Sequence, residues 1–159
     1  MTSLQQFIEA AHHRANEYSR CTPEQALVYA CEDVVEHELG SREILSSEAD
    51  VIINDICHAE DIEIPTILIA RKSKSALALT YIDENVICIR GKSTTMSTLL
   101  HELAHAVVGA ESHGVLFRDE LARLSRKHIS VSYAALLHSV YSGVGLEMSP
   151  WPATAARRN

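Results

Sequence analysis

The chain has 159 residues, of which 47% are hydrophobic and 22% charged, and this composition is typical of one globular domain. Its net charge of −7 argues against a nucleic-acid-binding surface, because phosphate binding draws on clustered lysine and arginine. No segment approaches the ~18 apolar residues of a membrane span, and the first residues lack the basic and apolar regions of a secretory signal. We therefore expect a cytoplasmic protein with no membrane partner.

Hydrophobic spacing predicts three helices in the first part of the chain. Apolar residues at helical intervals predict a first helix over residues 3–19. The segment Thr22–Gln25 combines a capping box with proline at the first helical position, which predicts a second helix ending near Leu39. Beyond Gly40 the helical period resumes at Ser47 and predicts a short third helix through Ile52 and Ile56, with Cys57 and His58 at its end.

Three strands are predicted next, because the hydrophobic period changes from 3.6 to 2. They cover Ile64–Ala70, Ala76–Ile82 and Val86–Arg90. The last two are joined by a hairpin turn in which Asn85 can take the left-handed conformation.

The following segment predicts a buried helix that carries His101-Glu102-Leu103-Ala104-His105, with Ser93 or Thr94 as its N-cap and Gly109 as its end. Residues four apart lie one turn apart on a helix, so both imidazoles leave the same face. Two neutral imidazoles in that arrangement can share one divalent ion, most often zinc, and the glutamate then lies beside the metal. This is the HExxH pattern of zinc hydrolases.

A third histidine follows a turn bracketed by Gly109 and Gly114. A second amphipathic helix is predicted from Val115 to about Lys127, and His113 lies one turn before Phe117 on its apolar side. A polar ring at such a place needs a partner, and a metal on the preceding helix would supply one. Three histidine ligands and a water are the pattern of a catalytic zinc site.

The C-terminal part predicts one more helix, capped by Ser130 or Ser132 and ending at Gly143. Residues 149–159 are predicted to be a flexible tail that is unstructured or loosely docked. The four cysteines show no Cys-x-x-Cys spacing, so they suggest neither a redox pair nor a cysteine-built zinc site. We interpret them as free thiols of a reducing compartment: Cys21, Cys31, Cys57 and Cys88.

The sequence HELAH, a short connection and then His-Gly-x-x-Phe resemble the zincin metallopeptidases of the SprT-like and related bacterial and phage groups. The resemblance covers residues 76–145 and is specific around residues 99–124. It implies that His113 is the third zinc ligand. The chain departs from the metzincin spacing, since His113 follows His105 by eight residues, and it shows no cysteine pair of the zinc ribbon found in many SprT proteins.

The resemblance also implies the fold. We expect an α+β, zincin-like single domain over residues 1–148, with a three-stranded, mainly antiparallel sheet packed on the HExxH helix and additional N- and C-terminal helices. An edge strand of such a sheet can pair with an extended peptide, and Val86–Arg90 is the predicted edge.

The expected function is hydrolysis of peptide bonds in a protein or peptide substrate, with zinc activating a water and Glu102 accepting its proton. Two alternatives stay open: a metallopeptidase-like regulator of the repressor-processing type, with Glu120 as third ligand, and a non-catalytic zinc-containing interaction module. The sequence selects no oxyanion-stabilising residue and specifies neither substrate nor oligomeric state. Candidates for the oxyanion role are Tyr133, Tyr141, His128, His138 and Arg118, and candidates for supporting the ligands are Asp119 and Glu111.

Overall fold

The computed structural model describes residues 2–71, 78–109 and 113–151. Over these ranges the chain is α+β, as predicted, with six α-helices, a short 3-10 helix over Ser46–Glu48 and two small sheets. The elements in chain order are α1 (Leu4–Ala15), α2 (Pro23–Leu39), β1 (Glu43–Leu45), α3 (Ala49–Glu60), β2 (Thr66–Ala70), β3 (Ala78–Tyr81), β4 (Val86–Arg90), β5 (Ser93–Thr95), α4 (Met96–Val108), α5 (Val115–His128) and α6 (Val131–Gly143).

The described residues form two compact units. One contains residues 2–40 and 113–151, and the other contains residues 41–71 and 78–109. In the part of the chain that the structure describes, no helix combines the length and the apolar character needed to cross a bilayer.

The first unit is a group of four helices, α1, α2, α5 and α6, which bury their apolar faces against one another. The capping box predicted at the start of α2 is confirmed, because the side chains of Thr22 and Gln25 each accept a hydrogen bond from the other residue's backbone N–H. Ser130 caps α6, also as predicted. The largest fully buried side chains of this unit are Phe117, Leu121, Leu124, Tyr133 and Tyr141.

The first helix is shorter than predicted, since α1 ends at Ala15 rather than near residue 19. Two turns follow it, in which the N–H of Tyr18 donates to Ala15 and that of Cys21 donates to Tyr18. The phenol of Tyr18 donates to the Asp33 carboxylate on α2. Tyr18 continues the helical spacing of the sequence, although it lies beyond the end of α1.

The second unit contains a three-stranded sheet with the order β2-β4-β3, in which β4 is parallel to β2 and antiparallel to β3. The predicted mainly antiparallel arrangement is confirmed only in part, because the pairing of β3 with β4 is antiparallel and that of β2 with β4 is parallel. The predicted edge position of Val86–Arg90 is wrong, since β4 is the central strand. Its middle residues Ile87, Cys88 and Ile89 are all buried, and a continuous buried run is typical of a strand with both faces covered.

Two other predictions for this unit are confirmed, the left-handed Asn85 and the third helix. Asn85 adopts the left-handed conformation, with φ of 51°, in the turn between β3 and β4. The third helix extends further than predicted, to Glu60, where Asp61 ends it in a left-handed conformation. Two short strands, β1 and β5, pair antiparallel and were not predicted. Residues 76 and 77 of the predicted second strand lie outside the described residues.

The segment predicted to be a flexible tail begins with residues that bind to the four-helix unit. Ser149 donates its N–H to the Asp119 carboxylate over 3.0 Å, and its hydroxyl donates to the same carboxylate over 2.6 Å. The Trp151 ring packs against His138, and the Arg126 guanidinium lies 4.6 Å from the Trp151 ring centroid. Residues 149–151 are therefore docked, and residues 152–159 lie outside the described residues.

Candidate metal centre

Helix α4 presents His101 and His105 from one face. The helix begins at Thr95, whose hydroxyl accepts the Thr98 N–H over 3.2 Å, so the predicted N-cap at Ser93 or Thr94 is wrong by one or two residues. Ser93 and Thr94 belong to β5, which pairs with β1, so the helix begins only after this strand. Four apolar residues of α4 are fully buried: Leu99, Leu100, Leu103 and Ala104.

The two rings on α4 already approach each other. The Nε2 atoms of His101 and His105 lie 3.2 Å apart, and His101 is only 7% exposed. In a tetrahedral zinc site with Zn–N bonds of about 2.0–2.1 Å, two ligand nitrogens lie about 3.3 Å apart. The spacing of these two nitrogens therefore fits two neighbouring ligand positions of one zinc ion.

His113 directly precedes Gly114, the N-cap of α5, and it is 5% exposed. Its φ of 56° lies in the left-handed region, which residues with a side chain rarely adopt. The imidazole packs edge-on against two aromatic rings, with centroid distances of 5.0 Å to Tyr29 and 4.9 Å to Phe117. The contact with Phe117 matches the predicted place of His113 on the apolar side of α5.

The structure brings the three predicted ligands together. Each of His101, His105 and His113 offers one ring nitrogen, and these atoms lie within 4.8 Å of one another. Among the described residues, this group of ligand-bearing side chains contains neither a carboxylate nor a thiol. Three imidazoles at this separation could bind one metal ion.

Glu102 follows His101 on α4 and is buried, with 7% of its surface exposed. The hydroxyl of Thr80, on β3, lies 3.0 Å from the Glu102 backbone oxygen and also within hydrogen-bonding distance of its carboxylate. The sheet thereby positions the carboxylate, because α4 packs against β3. A buried carboxylate next to a cluster of imidazoles is a suitable proton acceptor.

Glu120, the alternative third ligand, is engaged elsewhere. Its two carboxylate oxygens accept hydrogen bonds from Arg123 over 2.7 Å and 3.1 Å, in a buried ion pair on the same helix. Such a two-pronged pairing occupies the oxygens that a metal would need.

The candidates for the oxyanion role have other contacts. Tyr133 donates to Glu36 over 2.8 Å, and His138 bonds to the Ser149 backbone oxygen over 2.7 Å. Tyr141 is fully buried, and this burial raises the pKa of its phenol. His128 is partly exposed at the last residue of α5. None of these contacts indicates an oxyanion-binding role.

Two residues, Asp119 and Glu111, were candidates for supporting the metal ligands. Asp119 binds Ser149, as described above, and Glu111 lies outside the described residues. The sequence reasoning missed Thr80 and Tyr29, which contact Glu102 and His113. Thr80 precedes Glu102 by 22 residues, so no local spacing could have pointed to it.

Comparisons of the chain with protein-family models, with curated proteins and with solved structures give no match. The resemblance to zincin metallopeptidases therefore rests on the motif residues alone.

Proposed function

We propose that this protein is a zinc-dependent metallopeptidase in which His101, His105 and His113 hold the metal and Glu102 is the general base. The observation that carries the proposal is the convergence of three imidazole nitrogens within 4.8 Å. The adjacent buried carboxylate, held by Thr80, adds the proton acceptor that hydrolysis requires.

The ligand set favours a catalytic zinc ion over a structural one. Structural zinc sites have four protein ligands, most often with cysteine among them, whereas catalytic sites have three protein ligands and an open position. Among the described residues the group has three members, and the spacing of the His101 and His105 nitrogens fits the bond lengths of zinc.

The chemistry follows from the residues. A zinc ion bound by the three histidines would polarise the substrate carbonyl and increase the acidity of a water. The Glu102 carboxylate would accept a proton from the water as its oxygen adds to the peptide carbonyl carbon, and would then return the proton to the amine nitrogen as the C–N bond breaks. Thr80 would hold the Glu102 carboxylate in place during both transfers.

The two alternatives have less support. A repressor-processing regulator with a carboxylate ligand would need Glu120, whose oxygens are bound by Arg123. An interaction module with a closed zinc site would have no use for a carboxylate buried beside the ligands, because burying such a group costs free energy.

The test is a digestion assay on zinc-loaded protein, with casein and a mixed peptide library as substrates. We expect the Glu102→Gln variant to keep its zinc and fold but to lose about 10²–10⁴-fold in kcat, the usual contribution of a general base. Glu60→Gln is the matched control, since Glu60 is also a buried glutamate, on α3, and it should keep full activity.

Two results would overturn the proposal. One is zinc-loaded wild-type protein that cleaves neither casein nor any library peptide. The other is a Glu102→Gln variant that cleaves as fast as the wild type, because the proton acceptor would then be another group.

A further inference from the structure

The backbone at His113 is held in a conformation that it would rarely adopt alone. A non-glycine residue with φ of 56° persists only where the surrounding contacts determine it. Metal ligands must be held in place, because an ion binds more weakly when a ligand has to be ordered first. Contacts that fix this backbone would therefore strengthen metal binding.

One side chain provides these contacts. The Nη1 atom of Arg118 donates to the His113 backbone oxygen over 2.7 Å and to the Glu24 carboxylate over 2.8 Å. Its Nε and Nη2 atoms donate to the Glu147 backbone oxygen over 3.2 Å and 2.9 Å. Arg118 is only 3% exposed, so these hydrogen bonds are shielded from water.

The planar guanidinium of Arg118 restricts the orientation of the His113 carbonyl. Its donors lie in one rigid plane, so the hydrogen bonds to Glu24 and Glu147 also fix the direction of the hydrogen bond to His113. That contact ends on the carbonyl of His113. A rotation of this peptide group out of the left-handed conformation would break the 2.7 Å bond and turn the imidazole away from its present direction.

The ring and the backbone are thus held by different groups. Tyr29 and Phe117 pack edge-on against the imidazole, and Arg118 holds the carbonyl. We propose that Arg118 is a positioning residue for metal binding, which sets the affinity of the site by holding His113 in its ligand-presenting backbone conformation. This inference rests on the metal site of the proposed function.

The test is titration of the metal-free protein with Co²⁺, followed by visible absorption. We expect Arg118→Met to bind Co²⁺ about 10–100-fold more weakly than the wild type, the range found when a partner of a metal ligand is removed. Arg118→Lys should bind with intermediate affinity, because a lysine ammonium keeps the charge but lacks the planar fork. The absorption intensity should also fall in Arg118→Met, since it reports the coordination geometry.

Arg123→Met is the matched control. Arg123 is a buried arginine on the same helix, 6% exposed, and its guanidinium binds the Glu120 carboxylate. The Arg123→Met variant should lower thermal stability as Arg118→Met does, because each substitution removes the guanidinium of a buried arginine that pairs with a carboxylate, yet it should leave the Co²⁺ affinity unchanged. If Arg118→Met does not fold by circular dichroism, Arg118→Lys against Arg123→Lys decides.

The outcomes separate the two proposals. Folded Arg118 variants that bind Co²⁺ as tightly as the wild type would overturn the positioning role while leaving the metal site intact. Equal weakening in the Arg123 variant would also overturn it, since the loss would then be general destabilisation. Wild-type protein that binds no Co²⁺ would overturn the metal site, and this inference with it.

Discussion

The Thr80 hydroxyl lies 3.0 Å from the backbone oxygen of Glu102 and within hydrogen-bonding distance of its carboxylate, so a strand residue holds the proposed general base. A hydrogen bond to a charged group is worth about 1.5–3 kcal/mol. We therefore expect Thr80→Val to lower kcat by about 10–100-fold, at about 1.4 kcal/mol per tenfold, with KM and zinc content unchanged. Steady-state kinetics of the zinc-loaded variant measure this.

The control for this prediction is Thr66→Val, the same substitution at an exposed position of β2 in the same sheet. It should leave kcat unchanged. In the Glu102→Gln background, Thr80→Val should have no further effect, because the two residues act as one unit. A Thr80→Val enzyme with wild-type kcat would show that the hydrogen bond does not orient the base.

The packing of α6 against α1 gives a second prediction, at Gly143. A Cβ at this position would lie 2.6 Å from Cγ1 of Ile8 and still closer to its Cδ1. Glycine to alanine in a helix usually stabilises by about 0.5–1 kcal/mol, whereas overpacking costs about 1–3 kcal/mol. Since Gly143 is the last residue of α6, the steric cost should dominate, and Gly143→Ala should lower the free energy of unfolding in urea.

The steric origin can be separated from any other effect of this substitution. In an Ile8→Ala background the clash is absent, so Gly143→Ala should be neutral or slightly stabilising there. A stabilising effect of Gly143→Ala in the wild-type background would contradict the packing of α1 on α6.

The burial of the cysteines gives a third prediction. Cys31 and Cys57 are fully buried, which raises the pKa of their thiols to about 12 and about 11, and Cys88 is also buried. Cys21 is partly exposed. At pH 8 a disulfide reagent such as DTNB should therefore modify one thiol quickly in the folded protein and the other three only after unfolding.

The Cys21→Ser variant should lose the fast reaction, and rapid labelling of that variant would contradict the burial of the remaining thiols.

The raised pKa values of the Cys31 and Cys57 thiols also have a consequence for stability. Because the folded state favours the protonated thiols, their contribution to stability is complete below the ordinary pKa of 9.0 and is lost as the pH rises towards about 12. Urea unfolding at pH 8 and pH 11 measures this decline.

The features predicted correctly from the sequence are those that depend on neighbouring residues. The capping box of Thr22 and Gln25, the left-handed Asn85 and the single helical turn between His101 and His105 each involve residues within four positions. Their geometry is fixed by the local backbone, so spacing alone predicts it.

The features that were missed involve distant partners. The central place of β4 depends on its parallel pairing with β2, and pattern alone does not say which strands become neighbours. Arg118 connects His113 with Glu24 and Glu147, residues far away in the sequence. His113 itself was predicted as a ligand, but its left-handed backbone was not, because the sequence shows no glycine at that position.

The third ligand distinguishes the proposed site from its alternatives, and two substitutions address it. His113→Ala removes an imidazole from the group of three, so it should weaken zinc binding by far more than the 10–100-fold caused by losing a partner of a ligand. Glu120→Gln keeps an acceptor for Arg123 and should bind zinc as the wild type does. The reverse order would assign the third position to the carboxylate.

The most direct measurement for the metal site itself is the zinc content of the wild-type protein after reconstitution near neutral pH and removal of unbound metal, by elemental analysis against protein concentration. We predict close to one zinc ion per chain, because the three histidine nitrogens lie within 4.8 Å of one another and form a single group. A zinc content well below one ion per chain at saturating zinc would contradict the site and the function proposed from it.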